Sequence, residues 1–457
     1  MEYFNQLITF LFTPLGFVIS TFLIFVLIQP ASSRTHLQWW VITILGFATS
    51  LGKFSNEWGV TSPPLAFPLE EMREFGRPLS ALLLLTCLGL ALRSHKGWRK
   101  DLLPKPILYL LLFQSVIVLK TILYGSISFA LLTLVLYASV VLSISLGVSQ
   151  WLQNDRDFTK AVYAIALVAV LFILANLYQA SIDIEPIIFI HGWFSGTTGN
   201  PNHAAFLLTT SLPCIIFLQN QSPSFKWENG FWLAVLGLCI FGLVITASRT
   251  GMISSFVAIL LLFRGKTKRF IAISMGLVLF WLVVTQFIQP LSNIDTFSAT
   301  TNKIAKFQNT RAEIWQALWQ TFLRYPFLGV PLQNDRFFGY GESSWLGGAA
   351  ATGLLGLIPL LLTGLECLKM MWRLDRLSLK YPQNYWKYSV VISGLGGILT
   401  GSLAEAYLLG NITFVLLGFF LYLTLGTYLV EQSRSMNLAL SPQILSPAFP
   451  PTTAWNR

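Results

Sequence analysis

Residues 159–180 read TKAVYAIALVAVLFILANLYQA, with a single charge, Lys160, near the start. A run of this length suits a helix that crosses a bilayer, because a hydrocarbon core of about 30 Å takes about 20 residues at helical rise. Lipid offers backbone groups no hydrogen-bond partner, so a helix is the default form for such a run. Working outward, similar apolar runs recur at 8–29, 38–52, 79–93, 107–124, 127–149, 203–219, 230–247, 250–264, 269–289, 345–368, 388–408 and 412–430. The expected fold class is therefore all-α: a polytopic transmembrane helix bundle of about 12–14 spans. Composition agrees, since 54% of the 457 residues are hydrophobic and 11% charged, against about a quarter charged in a soluble domain.

Lys and Arg in the loops set the expected orientation. With the N-terminus outside, twenty of the 30 Lys and Arg residues fall in inner loops, among them Arg93 to Lys105, Arg264 to Arg269 and Lys369 to Lys387. The net charge of +11 would suggest nucleic acid as a partner in a soluble protein. Here topology accounts for it, and no nucleic-acid partner is expected. The first residues lack the basic start of a secretory signal, so the first apolar run is expected to stay as a span. Cys87, Cys214, Cys239 and Cys367 all sit inside apolar runs. They read as core residues, with no disulfide or zinc site. The tail 431–457, rich in Ser and Pro, reads as a disordered cytoplasmic end. Two outer loops are long, 53–78 and 290–344, and long loops in compact proteins are usually functional.

Polar chemistry collects on the expected outer side, in the second half of the chain. Gly199-Asn200-Pro201-Asn202-His203 is a turn at the mouth of a span. Ser248-Arg249-Thr250-Gly251 joins two apolar runs and places an arginine against the positive-inside bias. Residues 302–325 read as an amphipathic helix in which Ile304, Phe307, Ile314, Trp315, Leu318, Trp319 and Phe322 form one stripe at 100° per residue. Arg311 falls in the middle of that stripe, where a guanidinium needs an anion or carbonyls to satisfy it. A structural pair with Asp335 or Glu342 is one solution; a phosphate, matched by the guanidinium's fork of donors, is another. Glu342 stands at the start of the next span, where partial desolvation would raise its basicity. Together these residues suggest an outer-face cavity for an anionic lipid-like ligand. Arg249, Arg311 and Glu342 are its candidate catalytic residues, and Asn200, Asn202, His203, Ser248 and Arg336 are candidates for binding substrate. His203 is also a candidate base. No carboxylate cluster suited to a divalent metal and no P-loop is read, so no cofactor is expected.

At these residues the sequence resembles the O-antigen ligase and polymerase superfamily of bacterial membrane glycosyltransferases. The resemblance rests on Asn200-Pro201-Asn202 ahead of a helix, Ser248 to Gly251, and Arg311-Ala312-Glu313-Ile314-Trp315 followed by Tyr325-Pro326-Phe327-Leu328-Gly329-Val330. It also rests on Ser343-Ser344-Trp345-Leu346 with Gly353-Leu354-Leu355-Gly356 beyond. It spans roughly 190–430, which sets a ligase-like core apart from the N-terminal helices 1–189. It implies a metal-independent transferase in the bacterial inner membrane, with its active site facing the periplasm. The donor would be a glycan on undecaprenyl pyrophosphate. The acceptor hydroxyl would belong to lipid A–core, another lipid-linked glycan or a protein. Carried onto this chain, Arg249 and Arg311 would bind the pyrophosphate and stabilise its charge on leaving.

In one respect the chain departs from that pattern. Family ligases usually carry a histidine just before the segment matched by Ser343 to Leu346, and Glu342 stands there. A carboxylate can still take a proton from a hydroxyl. Two other readings remain open: an anion-transport protein, for example for inorganic carbon, which needs a polar path through the membrane, and a non-catalytic partner in polysaccharide assembly, in which Arg311 would be paired internally without an open cavity.

Overall fold

The computed structural model describes residues 2–29, 37–53, 61–93, 103–124, 127–188, 192–221, 227–265, 311–330, 342–409 and 412–440. Its helices are α1 (Glu2–Leu11), α2 (Pro14–Ile28), α3 (Leu37–Ala48), α4 (Leu69–Glu74), α5 (Gly76–Arg93), α6 (Lys105–Tyr124), α7 (Ile127–Val140), α8 (Val148–Trp151), α9 (Asp155–Ile182) and α10 (Glu185–Ile188). They continue with α11 (Pro201–Gln221), α12 (Trp227–Ile245), α13 (Arg249–Phe263), α14 (Ala312–Arg324), α15 (Ser344–Lys380), α16 (Tyr385–Ser402) and α17 (Phe414–Leu440). The protein is an all-α polytopic bundle. Among the described residues, seven helices are long and apolar enough to cross a membrane: α5, α6, α9, α11, α12, α15 and α17. The shorter apolar helices α2, α3 and α13 pack among them.

Local sequence explains where the helices begin. Asn154 caps α9, its side chain accepting from Arg156 N and Asp157 N, a standard way to satisfy the unpaired N–H groups of a first turn. Thr13 caps α2 with Pro14 in its first turn. This divides the expected span 8–29, because proline ends the preceding helix and starts the next. α7 runs through a π-helical segment, Val141–Gly147, into α8, where Ser143 Oγ donates to Leu84 O at 2.8 Å. α17 reaches Leu440, ten residues into the expected disordered tail. The expected span 269–289 lies outside the described residues, as do Arg336, Asp335 and residues 302–310.

The bundle has two polar ends and an apolar middle. At one end Arg264 Nε pairs with Asp375 at 2.5 Å, and its Nη atoms donate to Ser389 and Ser378. Lys387 there pairs with Asp155 at 2.8 Å, and Gln432 donates to the same carboxylate. At the opposite end lie Asn202, Ser248, Arg311, Glu342 and Glu405. Segments assigned to one side by loop charge thus meet at one end, and those assigned to the other side meet at the other.

Candidate functional site

Four helices begin at the same place. Asn200 starts α11: its Oδ1 accepts from Asn202 N at 2.8 Å, and the preceding Gly199 has a left-handed φ of 65°. Ser248 caps α13, accepting from Gly251 N at 3.3 Å. The turn into it passes through buried Ala247 at φ 50°, a left-handed conformation that costs a non-glycine residue about 1–2 kcal/mol. Ser343 caps α15 through Leu346 N. Arg311 is itself the N-cap residue of α14.

Glu405 ties these starts together. The expected span 388–408 is shorter as a helix, since α16 ends at Ser402; Glu405 lies three residues beyond that end, outside the membrane-spanning helices, and is 9% exposed. Asn202 Nδ2 donates to its carboxylate at 2.8 Å, and Ser248 Oγ donates to Asn202 Oδ1 at 2.8 Å. Arg311 Nη2 binds the same Glu405 oxygen that Asn202 does. Ser344 N and Oγ both donate to the Glu405 main-chain carbonyl, at 3.0 and 2.6 Å. Arg311 Nε also pairs with Glu342 Oε2 at 3.2 Å, while Trp315 Nε1 donates to the Glu342 carbonyl at 3.1 Å. Each helix start adds positive potential, so this end of the bundle is built to hold negative charge. Glu405 supplies that charge within the chain. Burial nevertheless dominates its ionisation and pushes its carboxyl up to about 7; Arg311 acts against the shift and Glu342 adds to it.

The structure brings most of the expected site residues together. Asn200, Asn202, Ser248, Arg311 and Glu342 belong to one network, and half-buried Arg249 is the first residue of α13, beside Ser248. His203 occupies the first turn of α11 and lines a cavity of about 30 Å³ with Ser50, Thr198, Phe206 and Tyr407, room for a water or two. Of the amphipathic stripe, Leu318 and Phe322 are buried within the bundle, while Ile314 and Trp319 lie at the protein surface. Arg311 is not stranded on an apolar face, because as the N-cap residue it turns toward two carboxylates. Sequence reasoning missed Glu405 as a site residue. Its available signal was a carboxylate inside the otherwise apolar run 388–408, in Ala404-Glu405-Ala406.

Residues 234–361 match the family model described as O-Antigen ligase. The match takes in Arg249, Arg311 and Glu342, and leaves Asn200, Asn202, His203 and Glu405 outside it. It supports assignment of the chain to the O-antigen ligase and polymerase superfamily and, in general terms, a ligase- or polymerase-type function in a multi-pass membrane protein. No curated protein matches the chain.

Proposed function

We propose that this chain, with its O-antigen ligase match at 234–361, transfers a glycan from an undecaprenyl-pyrophosphate donor to an acceptor hydroxyl on the periplasmic face of the bacterial inner membrane. The carrying observation is one network joining four helix starts: Asn202 and Arg311 bind the Glu405 carboxylate, Ser248 binds Asn202, and Ser344 binds the Glu405 main-chain carbonyl. Helix starts and a guanidinium together form an anion site, and a pyrophosphate brings more charge than the carboxylate it would displace. In this reading Arg311 and Arg249 hold the pyrophosphate. The acceptor oxygen attacks the first sugar's anomeric carbon, the bond from that carbon to the pyrophosphate oxygen breaks, and the lipid pyrophosphate leaves with the electron pair. Glu342, half-exposed and fixed by Arg311, takes the hydroxyl proton. The arginines provide the charge stabilisation that a metal provides elsewhere. Asn200, Asn202, Ser248, His203 and Arg336 complete the binding surface. The acceptor belongs to lipid A–core, a second lipid-linked glycan or a protein.

One observation favours a second reading, a non-catalytic assembly partner: Arg311 is already paired with two carboxylates. For anion transport the support is weaker. Among the described residues, the buried charged residues are Lys120 and Glu405 toward one end and Asp157 toward the other, with no buried charged residue between them. The test is to delete the gene and complement it with wild type, Arg311→Ala or Arg249→Ala, resolving surface glycan on a gel. Restoration by wild type alone, with both variants inserted in the membrane, is the expected result. Unattached long glycan in the deletion identifies a ligase, and single repeats a polymerase. Restoration by both variants would overturn the transferase reading.

A further inference from the structure

Helix α15 is broken at Gly353, where φ is 62° and ψ −157°. The break deprives the next amides of their intrahelical acceptors, and unsatisfied backbone groups at membrane depth cost several kcal/mol each. Leu354 N donates instead to Pro326 O at 2.7 Å and Leu355 N to Phe327 O at 3.3 Å, while Val330 N donates back to Ala350 O at 3.0 Å. Residues 325–330, the arm that follows α14, thus lie along the break and exchange backbone hydrogen bonds with it. Two glycines make the approach possible. Gly329, at φ 73°, packs so closely that a Cβ would overlap the Ala351 carbonyl. A Cβ on Gly353 would overlap the Phe327 carbonyl.

Lys120 closes this clasp from a third element. It sits on α6, which packs extensively along α15, and it is 1% exposed. Its Nζ donates to Val330 O on the arm and to Ala351 O on the broken helix. A buried ammonium is costly unless its protons are bound, and here one cation bridges a carbonyl from each half of the clasp. We propose that Lys120 is a positioning residue: by locking the arm to α15 it fixes α14, and with it Arg311 at the start of α14, over Glu342 and Glu405. Its importance for transfer rests on the function proposed above; the docking itself does not.

Docking is measured without any assay of transfer. Phe322, on the inner face of α14, is 8% exposed, and the four native cysteines are buried. N-ethylmaleimide labelling of Phe322→Cys in the detergent-purified full chain therefore reports arm opening over a low background. Lys120→Met is expected to raise the labelling rate at least about 10-fold, as a local opening equilibrium shifts by about 1.4 kcal/mol. Lys120→Arg, which keeps cationic donors, is expected to stay near the parent rate. Unchanged labelling in Lys120→Met overturns the proposal. If that variant does not purify as a single species, Lys120→Gln and Gly329→Ala replace it. Gly329→Ala opens the clasp with Lys120 intact and serves as the positive control; parent-rate labelling in Lys120→Gln then overturns the proposal. Glycan transfer on the same proteins then separates the two claims. An open arm with unchanged transfer overturns the positioning role. Absence of transfer in the wild type refutes the proposed function and leaves the docking result standing.

Discussion

Replacing Glu405 with glutamine sets two effects against each other. The pairing with Arg311 favours the carboxylate, and burial favours the carboxylic acid. Burial prevails: the group is raised from 4.5 to about 7. The folded chain therefore binds this proton more tightly than the unfolded one. The resulting stability is fully present below about pH 4.5 and is lost as pH rises through about 7. At about 1.4 kcal/mol per pH unit, carrying the ionised carboxylate at pH 8 costs the fold about 3 kcal/mol. Gln resembles the protonated acid in shape and charge and still accepts from Asn202 and Arg311. Glu405→Gln is thus expected to match wild type at pH 5 and to exceed it at pH 8, by up to about 3 °C in melting temperature if the chain unfolds as one unit. The assay is thermal unfolding of both detergent-purified proteins across pH 5 to 8, where other titrating groups cancel in the comparison. A variant that loses more at pH 8 than at pH 5 would show that the ion pair with Arg311 outweighs burial.

The same proton governs the competition for Arg311. Inorganic pyrophosphate binding, followed by calorimetry, is expected to strengthen about 10-fold from pH 8 to pH 6 as Glu405 protonates, and Glu405→Gln is expected to flatten that slope. Asn202→Ala removes the bridge from Ser248 to Glu405; a loss of about 1–3 kcal/mol in unfolding free energy is expected, with weaker pyrophosphate binding. Arg264→Met, at the opposite end, breaks the contact with Asp375 and is expected to cost about 2 kcal/mol while leaving pyrophosphate affinity unchanged. A change in affinity there would mean that the two polar ends are coupled.

The helices were readable because burial in lipid demands long apolar runs, and loop charge gave their alternation. Apart from 269–289, every expected span contains helix in the structure. What hydropathy could not read was punctuation inside a run. Thr13-Pro14 divides the first span and Gly353 breaks α15, although both lie in uniformly apolar sequence. Arg311 was legible as a cation in need of a partner, and Glu342 was one of the two partners foreseen. Glu405 was not, since it lies 94 residues from Arg311 and nothing local in its sequence specifies the contact. Lys120 shows the same limit: it donates to main-chain carbonyls 210 and 231 residues away, which no side-chain pattern encodes. Periodicity placed Ile314 and Trp319 on the same stripe as Leu318 and Phe322, and α14 rests on the bundle through only part of that stripe.

The pairing of Arg311 with Glu405 is compatible with a finished structural contact or with a site holding its own placeholder. Under the proposed function the carboxylate would be the placeholder. Replacing a buried ion pair by well-packed neutral groups is often neutral or stabilising, and a carboxylate raised to about 7 is an expensive way to neutralise an arginine. Four helix starts already surround the position, so a neutral acceptor such as glutamine would satisfy Asn202 and Arg311 at lower cost. A carboxylate near its midpoint at neutral pH has a property that glutamine lacks. It leaves Arg311 readily, by taking up a proton, when a more highly charged anion arrives. Under the proposed function, such a residue would keep the Arg311 guanidinium paired while the site is empty and yield it when the donor arrives.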